Sequence, residues 1–207
     1  MALDDPRIAY ASKQISQVMS KPTEEGEVCI KRVLRYLRGR PGCEWRYPWQ
    51  EMPTHLVGFS DSDWAGCART RRSTSGGGIT LGQHLLTHWS RTQTCVALSS
   101  GEAELNAMLK AACEGLSLQY LLNEVGLQVG LHLLGDSSAS HGTLQRLGSG
   151  RVKHLQTRQL WLQEKVHNGA VTIEKIPRER NWADLLTHAW MPASEHLFEE
   201  MGVVSVA

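Results

Sequence analysis

The stretch LSSGEAELNAMLKAACEGLSLQYLLNEVG, Leu98 to Gly126, constrains the fold more than any other part of the chain. It is long, rich in Ala and Leu, and opens with Ser99 and Glu102 at capping-box spacing, so it reads as a helix. Ala107 and Ala111 lie on the same side as Glu104, and such small side chains fit a helix pressed against a sheet. Leu105 and Leu109 make the other side apolar as well. The residues before it supply the sheet. THLVGFSD is apolar enough for a central strand, and STSGGGITLGQHLLTHWS reads as a hairpin turning near Gly82 and Gln83. Three strands in succession predict an antiparallel meander with a long helix laid over it.

Two helices come first. Ile8, Ala11, Ile15 and Val18 recur at helical spacing, and Thr23 is an N-cap for a second helix whose stripe is Ile30, Val33, Leu34 and Leu37. Lys31, Arg32, Arg35 and Arg38 give that helix a basic flank, and GRPG stops it. CEWRYPWQEMP, ending at Pro53, has no clean period and reads as a connector. Beyond the long helix, LHLLGDSSAS is a short strand running into Asp136, followed by a helix through ASHGTLQRLG. VKHLQTRQLWLQEKVHNG places Leu155, Leu162 and Val166 on one face of a further helix ending at Gly169. AVTIEKIP is a strand, and NWADLLTHAW a last short helix capped by Asn181.

At 207 residues and 41% hydrophobic, the chain buries a real core. No apolar run is long enough to span a bilayer, and MALDDPRIAY carries acidic residues where a signal peptide would be basic and then apolar. An intracellular rather than secreted protein is expected. The five cysteines lie far apart and read as reduced thiols. A net charge of +1 makes no global case for a polyanionic partner, so any such case rests on local patches.

In VGFSDSDWAG two aspartates, Asp61 and Asp63, close an apolar strand. Asp and Ser favour turns because their side chains bond the nearby backbone, which is one reading. A metal or acid/base site is the other. In this layout Asp61 ends the first strand, Glu104 lies in the first turns of the long helix, Asp136 ends the fourth strand, and Asp184 lies in the last helix. A mixed sheet with its first and fourth strands adjacent brings these acids to one edge, where open α/β sheets place their sites. Clustered carboxylates are costly without cations, and hard oxygen ligands select Mg²⁺ or Mn²⁺. Two such ions about 3.5–4 Å apart clamp the oxygens of a phosphodiester in an in-line displacement.

GFSDSDWAGCARTRRSTSGGGITLG, THWSRTQTCVALSSGEAELNAM, LLGDSSAS and RERNWADLLTHAW resemble, in order and spacing, the ribonuclease H domain of Copia-type retrotransposon Pol polyproteins. DPRIAYASKQISQVMSKPTEEGEVCIKRVLRYLRG is similar to the segment that joins reverse transcriptase to that domain. The resemblance implies a ribonuclease H-like α/β fold: a mixed five-stranded sheet with helices on both faces, preceded by two N-terminal helices. It divides the chain into a helical connector over 1–52 and a ribonuclease H-like domain over 53–207. It further implies cleavage of the RNA strand of RNA–DNA hybrids with two Mg²⁺ ions, or Mn²⁺, held by Asp61, Glu104, Asp136 and Asp184. The implied neighbours are the reverse transcriptase and integrase regions of the same polyprotein, and the implied place is a cytoplasmic virus-like particle or the nucleus. Glu102, about 200° round the helix from Glu104, suits the cap instead.

There are departures from the family pattern. Gln156 stands where an acid commonly follows the histidine of the KHL segment, and His188 where a lysine is usual. No polymerase motif with paired aspartates precedes the domain, which reads as a fragment or a truncated copy. Arg69, Arg71 and Arg72 with Ser73, Thr74 and Ser75 form a loop near Asp61 whose guanidinium and hydroxyl groups suit a phosphate backbone; a solvated turn is the other reading. His154 and His188 read as surface or core-edge residues, Trp89 and Trp161 as core, and Trp64 as the tryptophan beside the acids. A non-catalytic nucleic-acid-binding remnant of a retroelement is the alternative function. A DNA nuclease of the same fold is disfavoured by the glutamate on the long helix.

Overall fold

The computed structural model describes residues 5–148, 157–189 and 196–206. In chain order its elements are α1 (Ala9–Ser16), α2 (Glu24–Gly39), β1 (Gly42–Trp45), β2 (His55–Asp63), β3 (Thr74–Leu81), β4 (His84–Thr92) and α3 (Ser100–Glu124). They continue with β5 (Gly130–Gly135), α4 (Ser138–Leu144), α5 (Thr157–His167), β6 (Thr172–Lys175), a 3₁₀ turn (Trp182–Leu186), α6 (His196–Glu200) and β7 (Val203–Val206). The main sheet has five strands in the order β4-β3-β2-β5-β6. β2, β3 and β4 pair antiparallel, whereas β5 and β6 run parallel to β2. This is the mixed five-stranded α/β sheet that the resemblance led us to expect, with β2 at its centre and its neighbour β3 buried along nearly its whole length.

Local chemistry explains where the helices begin. Thr23 accepts the Gly26 N–H at 3.1 Å to start α2, and Ser99 accepts the Glu102 N–H at 3.2 Å to start α3. Glu102 reaches back to the Leu98 N–H at 2.8 Å, one residue before the cap, so it is spent on the helix terminus. α3 packs across β2, β3 and β5, with Leu105 and Met108 meeting Leu56, Ile79, Leu131 and Leu133. The second face of the sheet is covered by α1, the 3₁₀ turn and α6, where Phe59 and Leu85 meet Trp182, Leu186 and Phe198. Leu155 and Gln156 of the expected helix, together with His154, lie outside the described residues.

One expectation is corrected. The segment read as a connector contains β1, which pairs antiparallel with β7 from Gly42↔Val206 to Trp45↔Val203. Four residues carry too little periodicity to announce a strand, and the partner comes from the opposite end of the chain. The buried Arg7, bonded to Asp5, also donates to the Gly42 carbonyl at 2.8 Å and ties the N-terminus to this small sheet. α2 is less engaged: of its residues only Gly26 is buried, and Val28, Ile30 and Leu34 are exposed.

The glycines of SGGGITL explain how the 3₁₀ turn comes so close. A Cβ on Gly76 would lie 2.8 Å from the Ala183 carbonyl oxygen and 2.9 Å from the Leu186 carbonyl carbon, both backbone atoms with no room to yield. On Gly78 it would meet the Trp182 ring at 2.8 Å. The strand therefore lets the turn lie flat on its surface. Gly76→Ala is expected to destabilise the protein by about 1–3 kcal/mol, as overpacking does, and to lower Tm by several degrees in a thermal melt.

Candidate active site

Asp61, Glu104 and Asp136 converge. One carboxylate oxygen of each lies within 4.8 Å of the others, and this is the single such group of potential metal ligands among the described residues. The convergence follows from topology. Asp61 lies near the end of β2, Asp136 directly follows the parallel neighbour β5, and α3 carries Glu104 in its first turn and a half across that edge. Asp61 is 5% exposed, and Glu104 and Asp136 are both half-buried.

The electrostatics match that crowding. Burial, above all, and then the charges of Asp184 and Asp136 push the Asp61 carboxyl up to about 6, against the pull of its bond with Thr187 and of Arg178. Burial, then Asp61 and Asp136, push Glu104 up to about 8. At neutral pH the cluster thus holds a proton that a divalent cation would displace. The donor set is all carboxylate, with no imidazole or thiolate in the group, which is the chemistry that a hard cation such as Mg²⁺ or Mn²⁺ requires.

Asp184 is placed differently. It lies in the 3₁₀ turn, close enough to raise the Asp61 carboxyl, yet outside the convergent group. Its Oδ1 accepts from Arg178 Nη2 at 3.1 Å, and its Oδ2 faces His188 Nε2 at 3.4 Å. His188, where the resemblance led us to expect a lysine, therefore still presents a nitrogen to this acid.

Asp63 is bound into local structure. Its Oδ1 takes the Thr74 N–H and its Oδ2 the Thr74 hydroxyl at 3.1 Å, while Lys13 Nζ donates to the same hydroxyl at 2.7 Å. Of the two aspartates closing the strand, Asp61 faces the other acids and Asp63 pins the loop to β3.

That loop divides by residue type. Arg69, Arg71 and Arg72 are exposed, with Arg71 in the left-handed region at φ 57° and its N–H bonded to the Cys67 carbonyl at 2.7 Å. Ser73, Thr74 and Ser75 are buried. Ser73 accepts from the Ala65 N–H at 3.0 Å, Thr74 serves Asp63, and Ser75 accepts from Gln93 at 2.9 Å. The guanidinium groups face solvent, and the hydroxyls hold the loop's shape. Trp64 is 54% exposed with its indole N–H on the Ala97 carbonyl at 3.1 Å, while Trp89 is core.

Three residues escaped the sequence reading. Thr187 is buried and donates its hydroxyl to Asp61 Oδ2 at 2.7 Å. Asn181, read as a cap, does accept from the Ala183 N–H at 3.3 Å, but its amide also donates to the Ser60 carbonyl at 2.9 Å, next to Asp61. Arg178 was passed over as one arginine of RER. The signal for Thr187 was its place three residues after Asp184, but nothing local revealed that β2 lay opposite.

No family model matches the chain. It is 32% identical over 189 residues to the retrovirus-related Pol polyprotein from transposon TNT 1-94 of Nicotiana tabacum, covering 90% of this chain and 14% of that polyprotein. Among solved structures it is similar to the foamy viral protease-reverse transcriptase in complex with dsDNA, with a TM-score of 0.55 at 14% identity, over 85% of this chain and 35% of that one. It also aligns with an RNase H1 isolated from compost by a metagenomic approach, at a TM-score of 0.46 and 20% identity, over 64% of this chain and 92% of that one. The chain thus spans about a seventh of the length of the transposon polyproteins that it matches. With Asp61, Glu104 and Asp136 gathered at the edge of a β4-β3-β2-β5-β6 sheet, the chain is a homologue of one segment of the retrovirus-related Pol polyproteins of Copia-type transposons and has a ribonuclease H-like fold.

Proposed function

We propose that this domain is a metal-dependent endoribonuclease that cuts the RNA strand of RNA–DNA hybrids during retroelement reverse transcription. The observation that carries the reading is the convergence of Asp61, Glu104 and Asp136 within 4.8 Å, with burial and mutual repulsion leaving them in need of a cation. Asp61, Glu104 and Asp136, with Asp184 beside them, would hold Mg²⁺ or Mn²⁺. A pair of such ions supplies stabilisation of the attacking and leaving oxygens of a phosphodiester. The protein's own part is positional. Thr187 fixes one oxygen of Asp61, Asn181 anchors the 3₁₀ turn to β2, and the loop pinned by Asp63 presents Arg69, Arg71 and Arg72 to a phosphate backbone. Residues 1–52 we assign to the end of the reverse transcriptase region, with 53–207 as the nuclease domain, so the polymerase and integrase regions of one polyprotein are the natural neighbours. No helix among the described residues is long and apolar enough to cross a membrane.

The decisive test compares the two aspartates. Asp61→Asn should abolish cleavage of a labelled RNA–DNA hybrid in Mg²⁺, because it removes an anionic ligand oxygen. It should hold or raise the metal-free Tm by relieving repulsion with Glu104 and Asp136. Asp63→Asn should keep most of both, since its amide oxygen still accepts the Thr74 N–H and its amide nitrogen can donate to the Thr74 hydroxyl. Equal cleavage by parent and Asp61→Asn would overturn the assignment.

The raised carboxyls set a pH dependence. The native protein binds more protons than the unfolded chain from roughly pH 4, the ordinary carboxylate range, up to about pH 8. The stability these groups contribute is therefore complete at the acid end and is lost as pH rises through the folded values. Metal-free Tm should carry a component that declines over that window, and Glu104→Gln should flatten it. Mg²⁺ should raise Tm more near pH 8 than near pH 6, because at the higher pH fewer protons compete for the site.

For the arginine loop, replacing Arg71 and Arg72 together by Ala should weaken hybrid binding and reduce the slope of log K against log salt by roughly one unit per lost phosphate contact. Binding measured across a salt series checks this, and an unchanged slope returns the loop to a solvated turn.

A further inference from the structure

The loop after β6 carries a cation that the chemistry above leaves without a role. Arg178 opens a short 3₁₀ turn, Arg178–Arg180, directly past the strand that neighbours β5. Its side chain is 71% exposed, yet its Nη2 is 3.1 Å from Asp184 Oδ1. Arg180, two residues on, is exposed and makes no such contact with the acids. Asp184 is the one expected ligand that the structure leaves outside the convergent group, and it is also the one that carries a guanidinium.

We propose that Arg178 is a built-in counter-cation for Asp184, a displaceable plug that keeps the fourth carboxylate from a divalent ion until that ion or a substrate phosphate draws the guanidinium away. The inference rests on the metal reading of the neighbouring acids. The geometry suits a plug rather than a permanent brace. The guanidinium end of the pair is open to water although the Asp184 side chain is 21% exposed, and a pair screened by solvent on one side is held weakly, so the arm is released at small cost. The guanidinium has five N–H donors, of which the contact to Asp184 uses one, and the others suit the oxygens of a phosphate. His188, facing the other oxygen of Asp184, stays with that acid when Arg178 leaves, since it sits four residues on in the same segment. Arg178 is thus a positioning residue for the cation, acting through Asp184.

The test reads metal binding, not turnover. Mg²⁺ titrations by calorimetry, with Tm shift as a second measure, are run on the intact chain, Arg178→Gln, Arg180→Gln, Asp61→Asn, Asp184→Asn and the double variant Arg178→Gln/Asp184→Asn. Arg178→Gln removes the charge but keeps a polar side chain, and it should bind Mg²⁺ roughly two- to fivefold more tightly, the range that removal of one solvent-screened ion pair produces. Arg180→Gln removes the same charge without the contact and should change affinity less than twofold. The gain should vanish in the double variant relative to Asp184→Asn, which places the coupling in the pair itself. Equal gains from Arg178→Gln and Arg180→Gln, or a gain that survives loss of Asp184, would show a diffuse charge effect and overturn the plug. Unchanged affinity in Arg178→Gln, while Asp61→Asn weakens binding, would also overturn it and leave the metal site standing. Absence of divalent binding in the parent would sink both.

Discussion

Burying Asp61 at the end of the central strand is the constraint on which the rest of this structure depends. A carboxylate out of water needs either a hydrogen-bond donor or a cation, and among the described residues the side-chain donor to this one is Thr187. That donor arrives on the 3₁₀ turn, and the turn reaches the strand because Gly76 and Gly78 carry no side chains to hold it off. Asn181 completes the attachment by bonding the carbonyl of Ser60. A stripe of glycines in β3, a cap residue and a threonine after the turn therefore form one device whose output is the orientation of Asp61. The opposite face supplies the second half, where α3 lies on Leu56, Ile79 and Leu133 and carries Glu104 to the same edge.

The cluster is unfavourable by itself, and the fold bears that cost locally. Burial and then repulsion raise Asp61 to about 6 and Glu104 to about 8, so part of the charge is neutralised by protons. Asp184 is met in another way, by the guanidinium of Arg178, with His188 facing its other oxygen. Two different solutions to one electrostatic problem stand side by side, and they give the acids different availability to a cation. Asp61, Glu104 and Asp136 already converge on one another. The fourth must first shed a guanidinium.

The loop after β2 shows how readily a functional and a structural role become entangled in one motif. Asp63, Ser73, Thr74 and Ser75 are the residue types that a phosphate site would use, but each is consumed in holding the loop. What they hold up is a row of exposed arginines, so the hydroxyls serve any nucleic-acid contact by shape and the arginines by charge. The same economy links this loop to the N-terminal helices, since Lys13 bonds Thr74 and Arg69 reaches the Gln17 carbonyl.

Much of this was legible without coordinates, for reasons tied to the range of each interaction. Capping at Thr23 and Ser99, the hairpin at Gly82 and Gln83, and the long α3 are set by residues within a few positions of one another, so pattern alone determined them. The strand ends likewise placed Asp61, Glu104 and Asp136 at one edge once β2 and β5 were taken as neighbours. Only tertiary structure decided the rest. The pairing of β1 with β7, the bond from Thr187 to Asp61, the reach of Asn181 to Ser60 and the hold of Arg178 on Asp184 depend on which surfaces meet after the chain has folded back. A sequence lists donors and acceptors but carries no record of which of them burial will force to find one another.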